Sequence, residues 1–313
     1  MKKVFVTGSE GFVGQHLVKL LKKDYLVLGL SRKTKLQDEE NLKYLIGDIL
    51  DKETIYQLLK THLPDAIIHL AGIAKTWGND PQEVFNINLL GTLNIYEAVL
   101  KLKKEKDFDP KILFVSSAEV YGKTTNPDSI KEDAPLFPIN CYGTSKLAAD
   151  RLSYQYSQTD KLKVVILRPF PHIGPGQQKG FFVPDMASQI AALEKNPESS
   201  ELLVGNLDGT RDYLDVRDVV QTYKAILEKD FTPGEVFNIC SGQGVAIKSV
   251  LDKLLTLSKK KLKIKQDPKL LRPVDILVFI GNNQKLIGST GWQPKYTLDQ
   301  TLTDVIDYWR GKN

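Results

Sequence analysis

The segment Thr7-Gly8-Ser9-Glu10-Gly11-Phe12-Val13-Gly14 follows the apolar run Val4-Phe5-Val6 directly, and after it Phe12, Val13, Leu17, Leu20 and Leu21 recur on one helical face. A strand therefore runs into a glycine-rich turn and a helix runs out of it. Glycines at every third position leave bare backbone where the chain turns, and the free N–H groups and dipole of the helix start attract an anion. A dinucleotide pyrophosphate needs such a place, which makes Gly8, Gly11, Phe12, Val13 and Gly14 candidate cofactor contacts. The glycine pattern alone is of moderate specificity, because glycines also end strands for steric reasons; the flanking strand and helix decide the reading.

Further apolar strand patterns lie at Leu26 to Leu30, Tyr44 to Ile46, Ala66 to Leu70, Ile112 to Ser116 and Val164 to Leu167, and helical patterns separate most of them. Such a βαβ series predicts an α/β fold, a doubly wound parallel sheet with helices on both faces. The rhythm breaks after Arg168-Pro169, where residues 170–178 carry two prolines and two glycines. A helix is expected from Val183 to Leu193, and a helix and strand at Val216 to Leu227 and Val236 to Ile239 are expected to return to the sheet. The expected division is a dinucleotide-binding domain of residues 1–170 with 213–240, interleaved with a smaller substrate lobe of 171–212 with 241–313. Leu298, Leu302, Val305, Ile306 and Trp309 form a final helical stripe, read as core.

With 313 residues, 42% of them hydrophobic, the chain has ample material for a core. It opens on its first strand without a charged and apolar leader, and no apolar stretch reaches the length of a membrane span, so a cytoplasmic protein is expected. Cys141 and Cys240 form neither a disulfide framework nor a metal motif, and both are expected to be reduced. The net charge is +5, but 43 basic residues are interspersed with 38 acidic ones, which argues against a nucleic-acid surface and leaves a mild field favourable to an anionic nucleotide. Lys261, Lys263 and Lys265 alternate with Leu262 and Ile264, the pattern of an edge strand guarded by a lysine face.

The second strand leads into Ser31-Arg32-Lys33, where NAD-selective folds carry an acidic residue for the ribose hydroxyls. A hydroxyl donor at Ser31 and a planar guanidinium at Arg32 suit a 2′-phosphate instead, so NADP(H) is the preferred cofactor and NAD(H) remains possible. Asp48, before Ile49, is placed either to accept from an adenine amino group or to cap the helix that follows. Leu70 and Ala71, after His69, end the fourth strand at the carboxyl edge where a dinucleotide would lie. His69 reads as a packed strand residue, since no second histidine or cysteine is positioned to share a metal, and Asn88 as a link to the neighbouring strand.

Tyr142 and Lys146 stand one helical turn apart, so the ammonium can lower the phenol's pKa and reach a nicotinamide ribose. Alone that pair is a weak signal. It gains specificity from Ser116-Ser117-Ala118-Glu119-Val120-Tyr121-Gly122 at the end of the fifth strand, where Ser117 is placed to hold the reacting oxygen beside Tyr142. Glu119 is either a base toward a sugar carbon or a holder of a hydroxyl.

With these motifs the whole chain resembles the extended short-chain dehydrogenase/reductase family. Within it, Arg168-Pro169-Phe170-Pro171-His172-Ile173-Gly174-Pro175-Gly176-Gln177, Arg211-Asp212-Tyr213-Leu214-Asp215-Val216-Arg217-Asp218 and Leu271-Arg272-Pro273 are similar to the GDP-6-deoxy-D-mannose reductases and their relatives, the GDP-mannose 4,6-dehydratases. The resemblance implies that Ser117, Tyr142 and Lys146 are catalytic and that Arg211 and Arg272 hold a sugar-nucleotide diphosphate. It further implies a homodimer paired through the helical patterns around Val84 to Val99 and Tyr142 to Tyr156. Two departures stand out: Pro171 replaces the asparagine usual before the histidine, and Ala118 replaces the polar neighbour of the dehydratase glutamate. Dehydration needs an acid and a base together, so a lone Glu119 weakens that reading.

The expected activity is NADPH-dependent 4-ketoreduction of a nucleotide-linked 4-keto-6-deoxy sugar, with GDP-4-keto-6-deoxy-D-mannose giving GDP-D-rhamnose as the first case. The rivals are an NAD-dependent sugar-nucleotide 4-epimerase or 4,6-dehydratase and, from another class, a non-catalytic NADP sensor on the same fold. An intact Ser117, Tyr142 and Lys146 set argues against the sensor.

Overall fold

Apolar runs buried on both faces, most of them separated by a crossover helix, have one stable outcome, a parallel sheet inside two helical layers. The computed structural model of the chain describes residues 1–32, 36–74, 78, 80–124, 127–271 and 276–312. Its first half runs β1 (Lys3–Thr7), α1 (Phe12–Leu21), β2 (Leu26–Ser31), β3 (Leu42–Ile46), α2 (Lys52–His62), β4 (Ala66–His69), α3 (Pro81–Phe85), α4 (Gly91–Lys106), β5 (Lys111–Val115), α5 (Cys141–Thr159) and β6 (Val164–Pro169). The chain then leaves the sheet through β7 (His172–Ile173), α6 (Phe182–Lys195), β8 (Glu201–Val204), β9 (Thr210–Asp212) and β10 (Leu214–Asp215). It returns with α7 (Val216–Leu227) and β11 (Val236–Ile239), and closes with β12 (Gly244–Ala246), α8 (Ile247–Leu257), β13 (Lys263–Gln266), β14 (Val278–Phe279), α9 (Gln284–Thr290) and α10 (Leu298–Lys312).

Among the described residues the main sheet has seven strands in the order β3-β2-β1-β4-β5-β6-β11, every neighbouring pair parallel. The doubly wound sheet expected from the sequence is thus present, and β11 completes it as the returning strand. Chain direction across the sheet reverses between β1 and β4, which opens a crevice at their carboxyl ends. In register, Val6 pairs Ile68 and Thr7 pairs His69, so the glycine turn after β1 meets Leu70 and Ala71 after β4.

Alternation along the strands splits the core into two layers. Val4 and Val6 pack with Leu17, Val18, Leu21 and Val220 on one face, whereas Phe5 packs with Leu28, Ile67, Ile95 and Phe114 on the other. Leu17 and Leu21 are fully buried, and each such leucine contributes roughly 2 kcal/mol of transfer free energy. A separate cluster around Ile173, Val183, Ile190, Leu251, Leu302 and Ile306 joins α6, α8 and α10, so the last helical stripe is core as expected. The lysine-rich strand forms as β13 paired with β8, but all four of its residues are exposed, Ile264 at 46%. No layer covers either face of it among the described residues, so the alternation there separates nothing.

Candidate active site

The glycine turn is built by close approach of backbone. Gly8 has φ of 69°, and a Cβ there would lie 2.9 Å from the Ala71 nitrogen. At Gly14 a Cβ would lie 2.0 Å from the Gly8 carbonyl oxygen. Any side chain at Gly14 would therefore push the helix start away from the turn. Gly11 is the N-cap of α1 and supplies no side-chain cap, and the first turn holds no acidic residue. That helix start offers backbone donors and a positive dipole end to an anion, so the turn fits a dinucleotide pyrophosphate. Ala71 N–H donates to the Thr7 hydroxyl at 3.1 Å, fixing the floor of the cradle.

Phe12, the residue after Gly11, stacks on His172 with ring centroids 6.0 Å apart and 4° between planes, and meets His16 edge-on at 5.8 Å. His16 Nε2 also lies 2.9 Å from the Pro175 carbonyl. The cofactor turn is thereby packed against the proline-rich loop that begins the second half of the chain. Val13, a partly buried neighbour, packs on the β1 side of the core.

Ser31 ends β2, but it is buried and its hydroxyl donates to the Glu10 carboxylate in the glycine turn. The hydroxyl expected to face a phosphate is thus engaged in the protein alone by a carboxylate of the glycine turn. Arg32 is exposed beside it, and Lys33 lies outside the described residues. Asp48 accepts from Leu50 N–H at 2.9 Å in a local turn, while the cap of α2 is Asp51, which accepts from Thr54 N–H at 3.0 Å. The capping alternative for Asp48 is therefore wrong, since the helix starts one turn later. Ile49 is buried against Gly91 of α4.

The catalytic candidates converge at the carboxyl ends of β5 and β6. Ser117 caps a single 3₁₀ turn, its oxygen accepting from Glu119 N–H at 3.1 Å. Tyr142 and Lys146 sit in the first turns of α5, both nearly buried, with the Ser117 side chain close enough to act on the phenol. Burial pushes the Tyr142 pKa up to about 12, against the lowering influence of the Ser117 hydroxyl and helped by the Glu119 charge. The expectation that Lys146 lowers the phenol's pKa is not met in the protein alone: the ammonium donates instead to the Val115 carbonyl at 2.8 Å, one strand end away. Its own pKa is held down to about 8 by burial, with Asp150 opposing.

Glu119 is held rather than free. Its carboxylate accepts from Asn140 Nδ2 at 2.8 Å, and Asn140 Oδ1 in turn accepts from Gly143 N–H at 2.7 Å as the N-cap of α5. Asn140 escaped the sequence reading, although an asparagine just before a helical pattern is the usual cap signal. Asn88 lies in a π-helical turn and binds Ile73 through both backbone groups and Ser145 at 2.9 Å, tying the segment after β4 to α5. His69 is a packed strand residue, placed between the hydroxyls of Thr7 at 2.7 Å and Thr92 at 3.0 Å, and burial lowers its pKa to about 3.

In the second half, Arg211 lies on β9, half-buried, with Nη1 donating to the Thr210 carbonyl at 3.0 Å. Arg272 lies outside the described residues. Pro171, which has no N–H to give, accepts from Leu214 N–H at 3.0 Å and so anchors the short β7–β10 pair. Among the described residues no group of three or more histidine, cysteine or acidic side chains is placed for a metal, and no helix is long and apolar enough to cross a membrane. Both cysteines are free thiols.

Comparison with known proteins agrees with this geometry. Residues 5–305 match the family described as GDP-mannose 4,6 dehydratase. The chain is 35% identical over 318 residues to a GDP-6-deoxy-D-mannose reductase of Pseudomonas aeruginosa, covering 99% of this chain and 98% of that protein. It is 29% identical to a GDP-6-deoxy-D-talose 4-dehydrogenase of Aggregatibacter actinomycetemcomitans, covering 97% and 96%. The structure of RMD from Pseudomonas aeruginosa complexed with NADPH superposes over 100% of both chains with a TM-score of 0.84 at 34% identity.

Proposed function

Because this chain belongs to the GDP-mannose 4,6-dehydratase family, within the extended short-chain dehydrogenases/reductases, we propose that it works in the reductive direction, as an NADPH-dependent 4-ketoreductase of a nucleotide-linked 4-keto-6-deoxy sugar. GDP-4-keto-6-deoxy-D-mannose is the first substrate to try. The observation that carries this reading is the state of Glu119. Its carboxylate is committed to Asn140 and its neighbour is Ala118, so the acid and base that would together remove water from a sugar are not assembled.

The remaining groups suit ketone reduction. The nicotinamide cofactor, when bound in the glycine cradle, supplies the hydride. Tyr142 donates the proton to the sugar O4, and Ser117, beside the same phenol, holds that oxygen. A phenol kept protonated by burial is a proton donor at neutral pH, the role reduction requires. Lys146, already poorly solvated, has reason to exchange the Val115 carbonyl for a ribose hydroxyl and to bring its charge toward Tyr142. Arg211, with Arg272, serves the substrate diphosphate.

We assign residues 1–170 with 213–240 to the cofactor domain and 171–212 with 241–313 to the substrate lobe. The protein is proposed to be a cytoplasmic homodimer. Leu90 and Tyr154 support the dimer: they stand 44% and 45% exposed at the start of α4 and on α5, the elements expected to meet their copies across a two-fold axis. A light-scattering mass of a single chain at micromolar concentration would exclude it.

Incubation with NADPH and the 4-keto-6-deoxy sugar nucleotide should lower absorbance at 340 nm mole for mole with ketone consumed. A protein that purifies saturated with NAD, and interconverts or dehydrates a non-keto sugar nucleotide without net NADPH oxidation, would be an epimerase or dehydratase instead.

A further inference from the structure

NAD-selective folds place a carboxylate at the end of the second strand, and this chain has Ser31 there. A carboxylate nevertheless stands at that spot. Glu10, between Ser9 and Gly11 of the glycine turn, accepts the hydroxyl hydrogen of Ser31. Two further bonds hold the turn in this position: the Ser9 hydroxyl donates to the Leu30 carbonyl at 3.1 Å, and Gln15 Nε2 donates to the Glu10 carbonyl at 2.8 Å. The bond to Ser31, the last residue of β2, places the carboxylate at that end of the cradle.

We propose that Glu10 is the coenzyme-discriminating residue of this protein, a carboxylate supplied by the glycine turn in place of the one absent from the strand end. It accepts from the adenosine ribose hydroxyls and repels a 2′-phosphate, while the exposed Arg32 attracts that phosphate. Selection between NADPH and NADH is then the difference of two opposed charges rather than the work of Arg32 alone. The inference deepens the reductase reading and rests on it only for the claim that the glycine turn holds a dinucleotide.

The test uses adenosine 2′,5′-bisphosphate and 5′-AMP, titrated calorimetrically into the purified protein and its variants. Removing the charge in Glu10→Gln should tighten the bisphosphate by about tenfold or more while AMP changes by less than about threefold, the scale of one near-surface charge acting on a phosphate. Arg32→Ala should weaken the bisphosphate selectively. Ser31→Ala removes the hydrogen bond but keeps the carboxylate, so the preference between the two ligands should stay that of the unmodified protein. Should Glu10→Gln fail to fold, Glu10→Ser removes the same charge. An unchanged preference in the Glu10 variant, or a shift in Ser31→Ala as large as in Glu10→Gln, overturns the proposal. Binding of neither ligand to the unmodified protein overturns it together with the dinucleotide site. The fragments carry no nicotinamide and no sugar is present, so failure of the reductase reading alone would leave these titrations unaffected.

Discussion

Asp150 grips Arg168 with both carboxylate oxygens, at 2.9 Å to Nε and 3.0 Å to Nη2, and neither side chain is more than 1% exposed. The pair lies directly behind the group proposed to be catalytic. Asp150 is one helical turn beyond Lys146 on α5 and also accepts from the Ser116 hydroxyl at 2.9 Å, while Arg168 reaches the Tyr121 oxygen at 3.0 Å and the Glu132 carbonyl at 3.0 Å. Tyr121 passes the chain on to Asn238 of β11 at 2.7 Å. One buried ion pair thus fastens α5, the loop after β5 and the ends of β6 and β11 to each other.

Breaking this pair should be expensive. Asp150→Asn leaves a guanidinium buried without its counter-charge, and loss of about 3–5 kcal/mol is expected in urea unfolding. The double replacement Asp150→Leu with Arg168→Met should recover most of that loss, because two apolar side chains leave no stranded charge. A double variant as unstable as the single one would show that the pair's geometry, not its charge balance, carries the stability.

Lys146 and Tyr142 give the protein opposite pH dependences. The native state releases the Lys146 proton near pH 8, whereas an unfolded lysine holds it to about 10.5; between these values the unfolded chain binds more protons, so stability rises with pH. Tyr142 does the reverse, keeping its proton to about 12 when folded and losing stability as pH climbs from about 10. Lys146→Met should therefore remove an alkaline gain that is at most about 3 kcal/mol. Urea midpoints of the two proteins at pH 7 and pH 10 check it: a difference independent of pH would mean that Lys146 is not strained by burial.

Tyr142→Phe removes the proposed proton donor and leaves the ring. Coenzyme binding should be unchanged, and turnover should fall by about a hundredfold or more. Retention of a tenth of the original rate in steady-state assays would transfer the acid role to another group.

Gly14→Ala should abolish coenzyme binding, because a Cβ there would sit 2.0 Å from the Gly8 carbonyl oxygen and neither backbone segment can yield. Gly288→Ala, also in a helix but with nothing within 4 Å of the added atom, should bind normally and melt slightly higher, consistent with the gain of up to about 1 kcal/mol for alanine over glycine in helices. Fluorescence titration with NADPH and a thermal melt distinguish the two. Normal binding by Gly14→Ala would disprove the cradle.

What was legible in the sequence is what is local. Period-two and period-3.6 patterns place β1, α1, α5 and α7 because each element's burial is set by residues a few positions apart. The glycine turn and the Tyr142–Lys146 spacing could be read for the same reason. Asp150 was within reach too, standing four residues after Lys146 on the same helical face, but its partner was not.

Tertiary structure decided which charges meet. Arg168 reads as the polar end of an apolar strand until folding brings it against Asp150, and Ser31 reads as a free donor until Glu10, 21 residues earlier, engages it. Tyr142 reads as a phenol tuned by its neighbouring lysine, yet in the fold burial raises its pKa and Lys146 donates to Val115. Phe12 and His172, from opposite halves of the sequence, share a stack that joins the cofactor turn to the loop beyond β6. The sequence by itself determined the doubly wound fold and singled out the side chains proposed to react, since hydrophobic period and helical spacing act over a few residues. Their partners, and hence their charge states, were decided only by the packed structure, because desolvation and hydrogen bonding depend on which distant segments close over a site.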